Sequence, residues 1–554
     1  MGLQDPPAER RPSNSDEERD ESRLAQFGYK QELKRDWGLA HNFGVSFSII
    51  SVITGLTTLF PYGLATGGPA VMSIGWIIVS FFTILVAIAM AEIVSAIPTS
   101  GGPYFWSAML APPRWSPFAA WLTGWYNLLG QVAVTTGITF GLAGLLTTAI
   151  TVKNPDFEPK PSITIGIYAA LLISHAVINS FGVRTLRYLN NVSIVLHSAG
   201  ITALCIAVLA KAPSHQPASF VFGKFIDGTA APSDDENVPA IGWGERASPA
   251  YVALCGILLA QFTLTGFDAS AHLSEETKRA SWSAPIGVVS SVGFSSLFGF
   301  FVLMAFLFSI QDLDTTMDSK YGQPVLQILV DVAGEDGALA LFSLIMVCVW
   351  HCGLFSMTSN SRMMFAFARD GGIPAIFHKV DERFKSPILA VWLAAVLSFI
   401  LALPSLGSTV AYSAATSIAT IGLYISYGLP ILIGLVWHKS FVAMKGPFNL
   451  GMFSRPIAFV ACCWIAFITV VFCLPTANPV TSQTLNYAVV AVAIIGIFTI
   501  VSWIVWVHKW FTGPSEEVAE AMRLGVDASE PGALEDREKK EEEERRRTAE
   551  GVSE

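Results

Sequence analysis

The sequence predicts an all-α polytopic membrane protein with twelve transmembrane helices, and the prediction rests on composition and charge distribution. Hydrophobic residues make up 52% of the 554 residues, and charged residues make up only 14%. The first 36 positions hold 16 charged residues and the last 46 hold 22, which leaves 39 for the 472 positions between. That is about 8% of the central region, against roughly 25% in soluble domains. This composition argues against a soluble protein and a secreted disulfide scaffold. The central region is also nearly neutral, so it has no basic field to attract nucleic acid.

The twelve spans follow from the length that a membrane helix needs. A bilayer core about 30 Å thick requires roughly 20 apolar residues per helix. Three charge-free stretches are long enough for two helices each, and charges, prolines and glycine clusters divide the remainder. The predicted spans lie near 40–66, 70–95, 117–149, 162–181, 188–211, 250–274, 284–310, 337–369, 386–403, 408–437, 456–475 and 484–510.

Charge also predicts the domain organisation and the topology. Residues 1–36 read as a charged N-terminal tail and residues 511–554 as a disordered charged C-terminal tail. Residues 37–510 are predicted to form the transmembrane domain. If the N-terminal tail is cytosolic, the loops on that side carry twice as many Lys and Arg residues as the loops on the other side. The positive-inside rule then places both tails in the cytosol.

The spans show an internal repeat. Residues 53–56 and 264–267 both read apolar-Thr-Gly-apolar, 211 positions apart, and the following spans keep a similar offset. This spacing predicts a five-span repeat, at about 40–211 and 250–437, plus two extra helices at about 456–510. Five is odd, so the second copy has inverted topology. The alternative is that Thr-Gly pairs serve only helix packing.

A glycine in mid-membrane has a chemical use if it unwinds the helix. Unwinding frees backbone N–H and C=O groups, which is tolerable only beside a polar cavity. The N–H groups of a half-helix can then bind a carboxylate, and freed carbonyls can bind an ammonium group. Gly55 and Gly266 therefore predict a site for a small zwitterion.

Four motifs resemble a known transporter family. The segments AEIVSAIPTSGGPY at 91–104 and SRMMFAFARDGGIP at 361–374 resemble the amino acid–polyamine–organocation superfamily. The segments LAQFGYKQEL at 24–33 and GFDASAHLSEET at 266–277 are similar to its fungal amino acid/choline subfamily, which includes GABA and choline permeases. The resemblance implies the five-plus-five inverted repeat, with spans 1 and 6 broken, working by alternating access.

The same resemblance implies a function. We expect a secondary active permease for amino acids or small amines such as GABA or choline, coupled to protons, in the plasma membrane or an internal membrane such as the vacuole. The alternatives are an exporter or exchanger of a metabolite or polyamine, and a transporter-like nutrient sensor. The partners are then the small substrate, H⁺ and the lipid bilayer. Sequence signatures of an enzyme, a metal site or a cofactor site are absent.

The resemblance also implies which residues bind substrate. The carboxylate is expected at span 1 and the amino end at span 6. These candidates are Ser51, Thr54, Gly55, Leu56, Thr57, Thr263, Thr265, Gly266 and Phe267. The alternative for the Ser and Thr side chains is hydrogen bonding within their own helix or interhelical packing.

Three further polar residues in the membrane are candidates for substrate binding. Asp268 follows the span 6 break, and an intramembrane carboxylate suits a cation or a proton. Its alternative role is to cap the second half-helix. Asn127 and Gln131 lie four residues apart on one face of span 3, where amides line a cavity or join helices.

His197 is the candidate for proton coupling. Span 5 follows a family pattern that ends in a lysine in sodium-independent relatives, and here that position is His197. Histidine titrates near neutral pH, so His197 suits a coupling proton, and the alternative is a satisfied interior histidine. Glu92 and Arg362 read first as inner-gate or structural charges and second as substrate ligands.

Overall fold

The computed structural model describes residues 14–231, 240–406 and 411–514. About 75% of the structure is helical, and the described residues form three isolated β-bridges but no sheet. Eleven helices in these ranges are long and apolar enough to cross a membrane, and a broken segment supplies the twelfth crossing. The prediction of an all-α polytopic membrane protein is confirmed.

The membrane-crossing segments agree with the predicted spans. They are Leu39–Ala65, Gly68–Ala96, Ser116–Lys153, Pro161–Ser180, Val183–Lys211, Pro249–Thr263 with Ala269–His272, Ala280–Phe308, Pro324–Arg369, Ile388–Leu406, Tyr412–Val436, Gly451–Val471 and Ala488–Val505. Span 8 begins thirteen residues earlier than predicted. A short helix precedes it and continues into it through a kink at Gly334, which has φ of 69°.

Two of the crossings are each built from half-helices. Span 1 consists of helix 1a (Leu39–Ile49) and helix 1b (Val52–Ala65). Span 6 consists of helix 6a (Pro249–Thr263) and helix 6b (Ala269–His272). The predicted break in each of these spans is therefore present.

The packing of the spans shows the predicted repeat. Span 3 packs on span 4 as span 8 packs on span 9, and span 2 packs on helix 6a as span 7 packs on helix 1a. Span 10 packs on span 3, and span 5 packs on span 8. Exchanging the first five spans for the second five leaves this pattern unchanged. Spans 11 and 12 pack outside it, against spans 2, 3 and 10.

The exterior of the bundle is apolar, as a lipid-facing surface requires. Large side chains such as Phe81, Phe294, Ile497 and Ile504 are more than half exposed. All seven cysteines are free, and the described residues contain no cluster of side chains suited to a metal ion.

Both described ends of the chain lie at the same end of the bundle, which we call the terminal end. A helix spans Asn14–Gln26, and Leu24, Phe27 and Leu33 beyond its first turns are buried against the bundle. The ring of Phe511 packs on Trp121. The remaining tail residues, 1–13 and 515–554, for which we predicted charged tails, lie outside the described residues.

The opposite end of the bundle, which we call the loop end, is covered by the long connection between spans 5 and 6. Its described parts include short helices at Ala218–Gly223 and Trp243–Arg246. Asp227 accepts hydrogen bonds from the Gly244 N–H at 2.8 Å and from the Thr229 N–H at 3.1 Å. These contacts hold the connection over the loop-end tips of spans 1 and 6, where Thr66 bridges to Asp227.

Candidate functional site

The break in span 1 lies at Ile50 and Ser51. Helix 1a ends at Ile49, and Ser51 caps helix 1b with φ of −58° and ψ of 99°. The Ser51 Oγ accepts hydrogen bonds from the Thr54 N–H at 3.4 Å and the Thr54 O–H at 2.7 Å. Because the first N–H groups of a helix have no partner within it, helix 1b presents donors and a partial positive charge at this point.

The break in span 6 covers residues 264–268, between the two half-helices. Gly266 has φ of 98°, and a Cβ there would lie 2.6 Å from Ile49 Cγ2, so both backbone conformation and space require glycine. The Thr263 and Thr265 hydroxyls each donate to a carbonyl one turn earlier, both at 2.6 Å. Their side chains therefore hydrogen-bond within helix 6a, as the alternative reading expects, and the helix presents its last carbonyls to the break.

The two breaks face a shared cavity of about 10 Å³, the size of one water molecule. Five predicted site residues line it. These are Ser51, Thr54, Gly55, Thr263 and Thr265. The sequence did not indicate the four apolar lining residues, because their place depends on how spans 1, 3 and 6 pack. These are Ile49, Val134, Ile138 and Phe262.

Gly55 has a different role from the one the sequence suggests. The unwound residues lie at Ile50 and Ser51, and Gly55 is helical in the first turns of helix 1b. A Cβ at Gly55 would overlap the side chain of Thr263 and lie 2.8 Å from its Cα. Gly55 therefore permits the close approach of helix 1b to helix 6a and does not itself free backbone groups. The prediction of freed backbone at Gly55 is wrong, whereas at Gly266 it is correct.

The structure places the other predicted residues of the two breaks behind the cavity wall. Leu56 is fully buried in the apolar core. The carbonyl of Thr57 accepts a hydrogen bond from Gln323 Nε2 at 3.2 Å. The ring of Phe267 packs on Tyr427, with ring centroids 5.0 Å apart. These residues shape the site through packing.

His197 contacts the break in span 1 directly. Its Nε2 lies 2.8 Å from Ser51 Oγ, and its Nδ1 lies 3.0 Å from the Ser193 carbonyl oxygen. Nδ1 also lies 3.1 Å from Ser193 Oγ, a hydroxyl that can donate or accept, whereas the Ser193 carbonyl only accepts and therefore favours a hydrogen on Nδ1. The Ser51 hydroxyl can donate to Nε2 because it accepts from Thr54 and still has its own hydrogen to give. A neutral His197 thus has both ring nitrogens satisfied.

Asp268 forms a second cluster with the two polar residues of span 3. Its Oδ2 accepts from Gln131 Nε2 at 2.8 Å and, at the limit of hydrogen-bonding distance, from Asn127 Nδ2 at 3.5 Å. Its Oδ1 accepts from the Tyr427 hydroxyl of span 10 at 2.7 Å, and His272 Nε2 lies 3.2 Å from Oδ2. The sequence indicated Asp268, Asn127 and Gln131 but neither Tyr427 nor His272. His272 could have been found, since it follows Asp268 by one helical turn.

A network of ion pairs closes the terminal end beneath helix 6b. Glu275 forms a two-pronged pair with Arg369, at 2.9 and 3.0 Å, and accepts the Ser100 N–H at 3.0 Å. Glu276 pairs with Arg362 Nε at 2.8 Å, with both side chains fully buried. This ion pair supports the interpretation of Arg362 as an inner-gate or structural charge.

The carboxyls at this gate respond differently to their surroundings. Burial alone would raise the pKa of Glu275, but the charge of Arg369 and its hydrogen bonds outweigh it and hold that pKa below its ordinary value of 4.5. Burial raises the pKa of Asp370, and Arg369 offsets this only in part. Asp370 accepts hydrogen bonds from the Tyr29 and Tyr104 hydroxyls at 2.7 and 2.9 Å. The N-terminal segment therefore takes part in the gate.

Glu92 stands apart from both clusters. It accepts the Leu450 N–H at 2.9 Å and the Ser454 hydroxyl at 2.6 Å, and Lys445 lies 3.7 Å away. These contacts fasten the connection between spans 10 and 11 to the end of span 2, so they support the structural reading of Glu92.

An inverted repeat with two broken helices, which face one uncharged cavity above an ion-paired gate, defines a secondary transporter. The geometry matches the class in which a small solute is bound at mid-membrane by backbone groups of half-helices. Comparison with known proteins agrees. The family model described as "Amino acid permease" matches residues 42–503.

Named relatives extend the match to most of the chain. The chain is 42% identical to the amino-acid permease BAT1 homolog of Oryza sativa, over 89% of this chain and 95% of the rice protein. It is 39% identical to the amino-acid permease BAT1 of Arabidopsis thaliana, over 90% and 96% of the two chains. It is 32% identical to the GABA-specific permease of Saccharomyces cerevisiae, over 90% and 86%. The chain belongs to the amino acid permease family, and it is a transporter of amino acids rather than an enzyme.

Proposed function

We propose that this permease takes up small zwitterionic amino acids, GABA among them, from the loop end to the terminal end, together with protons. The observation that carries the proposal is the single cavity shared by the start of helix 1b and the end of helix 6a. One half-helix offers N–H donors, and the other offers carbonyl acceptors. A molecule with a carboxylate and an ammonium group matches both ends.

The binding mode follows from this polarity. The substrate carboxylate lies at the first turn of helix 1b, beside Ser51, and the ammonium group lies at the last carbonyls of helix 6a, beside Thr265. The carbon chain between them contacts Phe262, Val134 and Ile138. In the closed arrangement the Thr54 and Gly55 N–H groups donate to the Ser51 carbonyl, and the Phe262 carbonyl accepts from the Thr265 N–H. The substrate therefore binds at the groups of these two helix ends that such contacts leave open.

The substrate class follows from the residues that line the cavity. None of the described lining residues carries a formal charge, so the site offers no counter-ion to a charged side chain. Lysine and arginine are therefore poor substrates, since an unpaired charge is costly away from water. Choline has no carboxylate for helix 1b and is also a poor substrate, whereas GABA has both groups.

Transport requires the breaks to move apart. A cavity of about 10 Å³ holds one water and not an amino acid, so the arrangement is a closed one. Below the cavity, the Glu275–Arg369 and Glu276–Arg362 pairs close the terminal end. Substrate therefore enters when the loop end opens and leaves when these pairs separate.

The proposal also covers the orientation of the protein in the membrane and the driving force of transport. The positive-inside distribution supports a cytosolic terminal end. The plasma membrane is the proposed site of uptake. A proton gradient is the proposed driving force, and His197 is the candidate carrier that the sequence offers. Its contacts with Ser51 and Ser193 also suit a neutral residue that orients the break, so that its role as the carrier stays a prediction.

Uptake by a host that lacks its own amino acid permeases tests this function. Labelled GABA and alanine should accumulate, and excess lysine or choline should compete weakly. A protonophore should abolish accumulation, and replacement of sodium should not. If no amino acid is taken up or exchanged by well-expressed protein, the proposed function is wrong.

A further inference from the structure

Asp268 and His272 form a buried pair between the cavity and the terminal gate. Asp268 directly precedes helix 6b and His272 ends it, one turn later, and both side chains are fully buried. Thr265, three residues before Asp268, lines the cavity, and Glu275, three residues after His272, belongs to the gate. The pair therefore separates the substrate site from the gate along the chain.

Hydrogen-bond geometry fixes one proton on His272. Its Nδ1 lies 2.9 Å from the carbonyl oxygen of Ser100, which can only accept, so Nδ1 carries a hydrogen. The ring is closely confined, because a Cβ on Gly102 would lie 2.8 Å from its Cε1. The other nitrogen, Nε2, is thereby directed at Asp268.

The contact between the two side chains requires a second proton. Nε2 lies 3.2 Å from Asp268 Oδ2, and a bare imidazole nitrogen and a bare carboxylate oxygen are both acceptors. They hydrogen-bond only if one proton lies between them, as imidazolium with carboxylate or as imidazole with carboxylic acid. Without that proton, two buried acceptors face each other, which costs free energy.

The other partners of Asp268 connect the pair to the elements that surround helix 6b. Gln131 and Asn127 reach it from span 3, and Tyr427 reaches it from span 10. Ser100, which holds His272, also donates its N–H to Glu275 of the gate. Movement of helix 6b away from these elements would break the contacts that make the shared proton favourable.

The charged and titratable groups around the pair already have partners of their own, so the pair is the group available to carry a proton. On its own segment, Glu275 and Glu276 are each paired with an arginine of span 8. Span 10 contributes the hydroxyls of Tyr424 and Tyr427, and the helix at Pro103–Leu110 contributes Tyr104, which donates to Asp370. His41 of helix 1a is partly exposed at the terminal end.

We infer that the Asp268–His272 pair binds the proton that couples amino acid uptake to the proton gradient, holding it while the terminal end is closed and releasing it when helix 6b moves. This inference rests on the proposed function and assigns the coupling proton to span 6 instead of His197. The proton passes from Nε2 or Oδ2 to water admitted through the opened gate, and it leaves a carboxylate with a neutral histidine.

Two variants remove the proton but keep a hydrogen bond. In Asp268→Asn, the amide N–H donates to a neutral His272 when the Gln131 amide turns its oxygen toward the new NH₂ group. In His272→Gln, the amide N–H donates to Asp268. A matched control is His351→Gln on span 8, since His351 is also a buried histidine and its Nδ1 bonds only to the Val347 carbonyl of its own helix.

The experiment uses purified full-length protein in proteoliposomes that contain a pH-sensitive dye. One assay measures exchange of labelled for unlabelled amino acid without a gradient, and the other measures accumulation and lumen acidification driven by a pH gradient. In both variants, exchange should continue at a reduced rate, whereas accumulation and acidification should fall at least tenfold. The control should retain both activities.

The outcomes separate this inference from the proposed function. If the wild-type protein neither exchanges nor accumulates amino acids, the proposed function fails. If the wild type accumulates them and the variants still acidify the lumen, the function stands and the inference is wrong. Loss of exchange as well as coupling in both folded variants would assign the pair a structural role and would also overturn the inference.

Discussion

The polar groups at the breaks of spans 1 and 6 have different kinds of hydrogen-bond and ion-pair partners. Around the break in span 1, hydroxyls and backbone groups hydrogen-bond to one another. The nearby His197, as a neutral ring, hydrogen-bonds to Ser51 and Ser193. From the last residue of the break in span 6 onward, three buried carboxylates follow one another along the chain. These are Asp268, Glu275 and Glu276. Asp268 contacts His272 of the next turn and the Tyr427 hydroxyl of span 10. Glu275 and Glu276 are each paired with an arginine of span 8.

This difference explains why burial alone does not identify a proton carrier. His197 and His272 are both buried, and each donates Nδ1–H to a carbonyl. They differ in the group that faces Nε2. A serine hydroxyl can donate to it, but a carboxylate cannot unless it is itself protonated. The uncharged break suits a substrate, and the charged segment suits a proton and a gate.

The largest effect is expected from the gate. Glu275→Gln leaves the buried Arg369 guanidinium without its two-pronged partner, and loss of one member of a buried pair costs about 3 kcal/mol. Thermal unfolding of the purified protein measures the loss. The matched control is Glu335→Gln, since Glu335 pairs with Lys153 where both side chains are about half exposed, and such pairs contribute little.

The gate also makes a prediction about pH. The pKa of Glu275 is lowered in the folded protein, so its contribution to stability is present above the ordinary carboxyl pKa of 4.5 and is lost as pH falls through the lowered value. Glu275→Gln should therefore flatten the acid side of the stability profile. An unchanged acid side, together with unchanged unfolding at neutral pH, would show that the pair does not stabilise the closed gate.

A second prediction tests the close approach at the uncharged break. In Gly55→Ala, the new Cβ overlaps Thr263 and meets its backbone, and overpacking of this kind costs about 2 kcal/mol of stability. Helix 1b and helix 6a must then move apart, so GABA uptake should fall. The control is Gly144→Ala on span 3, where a Cβ meets nothing within 4 Å. Initial rates of GABA uptake at equal surface expression compare the two variants, and equal rates would contradict the role given to Gly55.

Gly55 also shows which features of the fold could be predicted from the sequence and which could not. The twelve spans, the two breaks and the paired Thr-Gly motifs could be predicted, because membrane helices must satisfy their own backbone and have a fixed minimum length. The sequence could not show that span 1 unwinds at Ser51 while Gly55 serves packing, since that depends on Thr263 of another span.

The contacts of Asp268 could not be predicted from the sequence for the same reason. Its partners Gln131 and Tyr427 lie 137 and 159 positions away along the chain. His272 lies within the quoted motif, yet only the position of Ser100 fixes which nitrogen carries the hydrogen. Local pattern indicates which residue types are present, and tertiary packing decides which of them donate and which accept.

A third prediction concerns the apolar wall of the cavity. Phe262→Ala removes the largest lining side chain and leaves the helix 1b and helix 6a termini in place. Preference for longer uncharged amino acids over GABA should rise about tenfold, because a hydrophobic pocket distinguishes substrates by roughly 1–3 kcal/mol per methylene. Ratios of kcat/KM for amino acids of increasing chain length measure this. An unchanged ratio would place the substrate chain away from Phe262.

The smallest effect, and the sharpest test of the comparison, is expected at His197. In His197→Gln, the side-chain carbonyl can still accept the Ser51 hydroxyl, so the cap of helix 1b keeps its geometry. The KM for GABA should rise about fivefold, which corresponds to loss of roughly 1 kcal/mol in the positioning of Ser51. Proton-driven accumulation should persist, since the variant leaves Asp268 and His272 unchanged. If the variant instead exchanges amino acids freely but no longer accumulates them, the proton lies at the uncharged break, and the division of labour between the two broken spans is reversed.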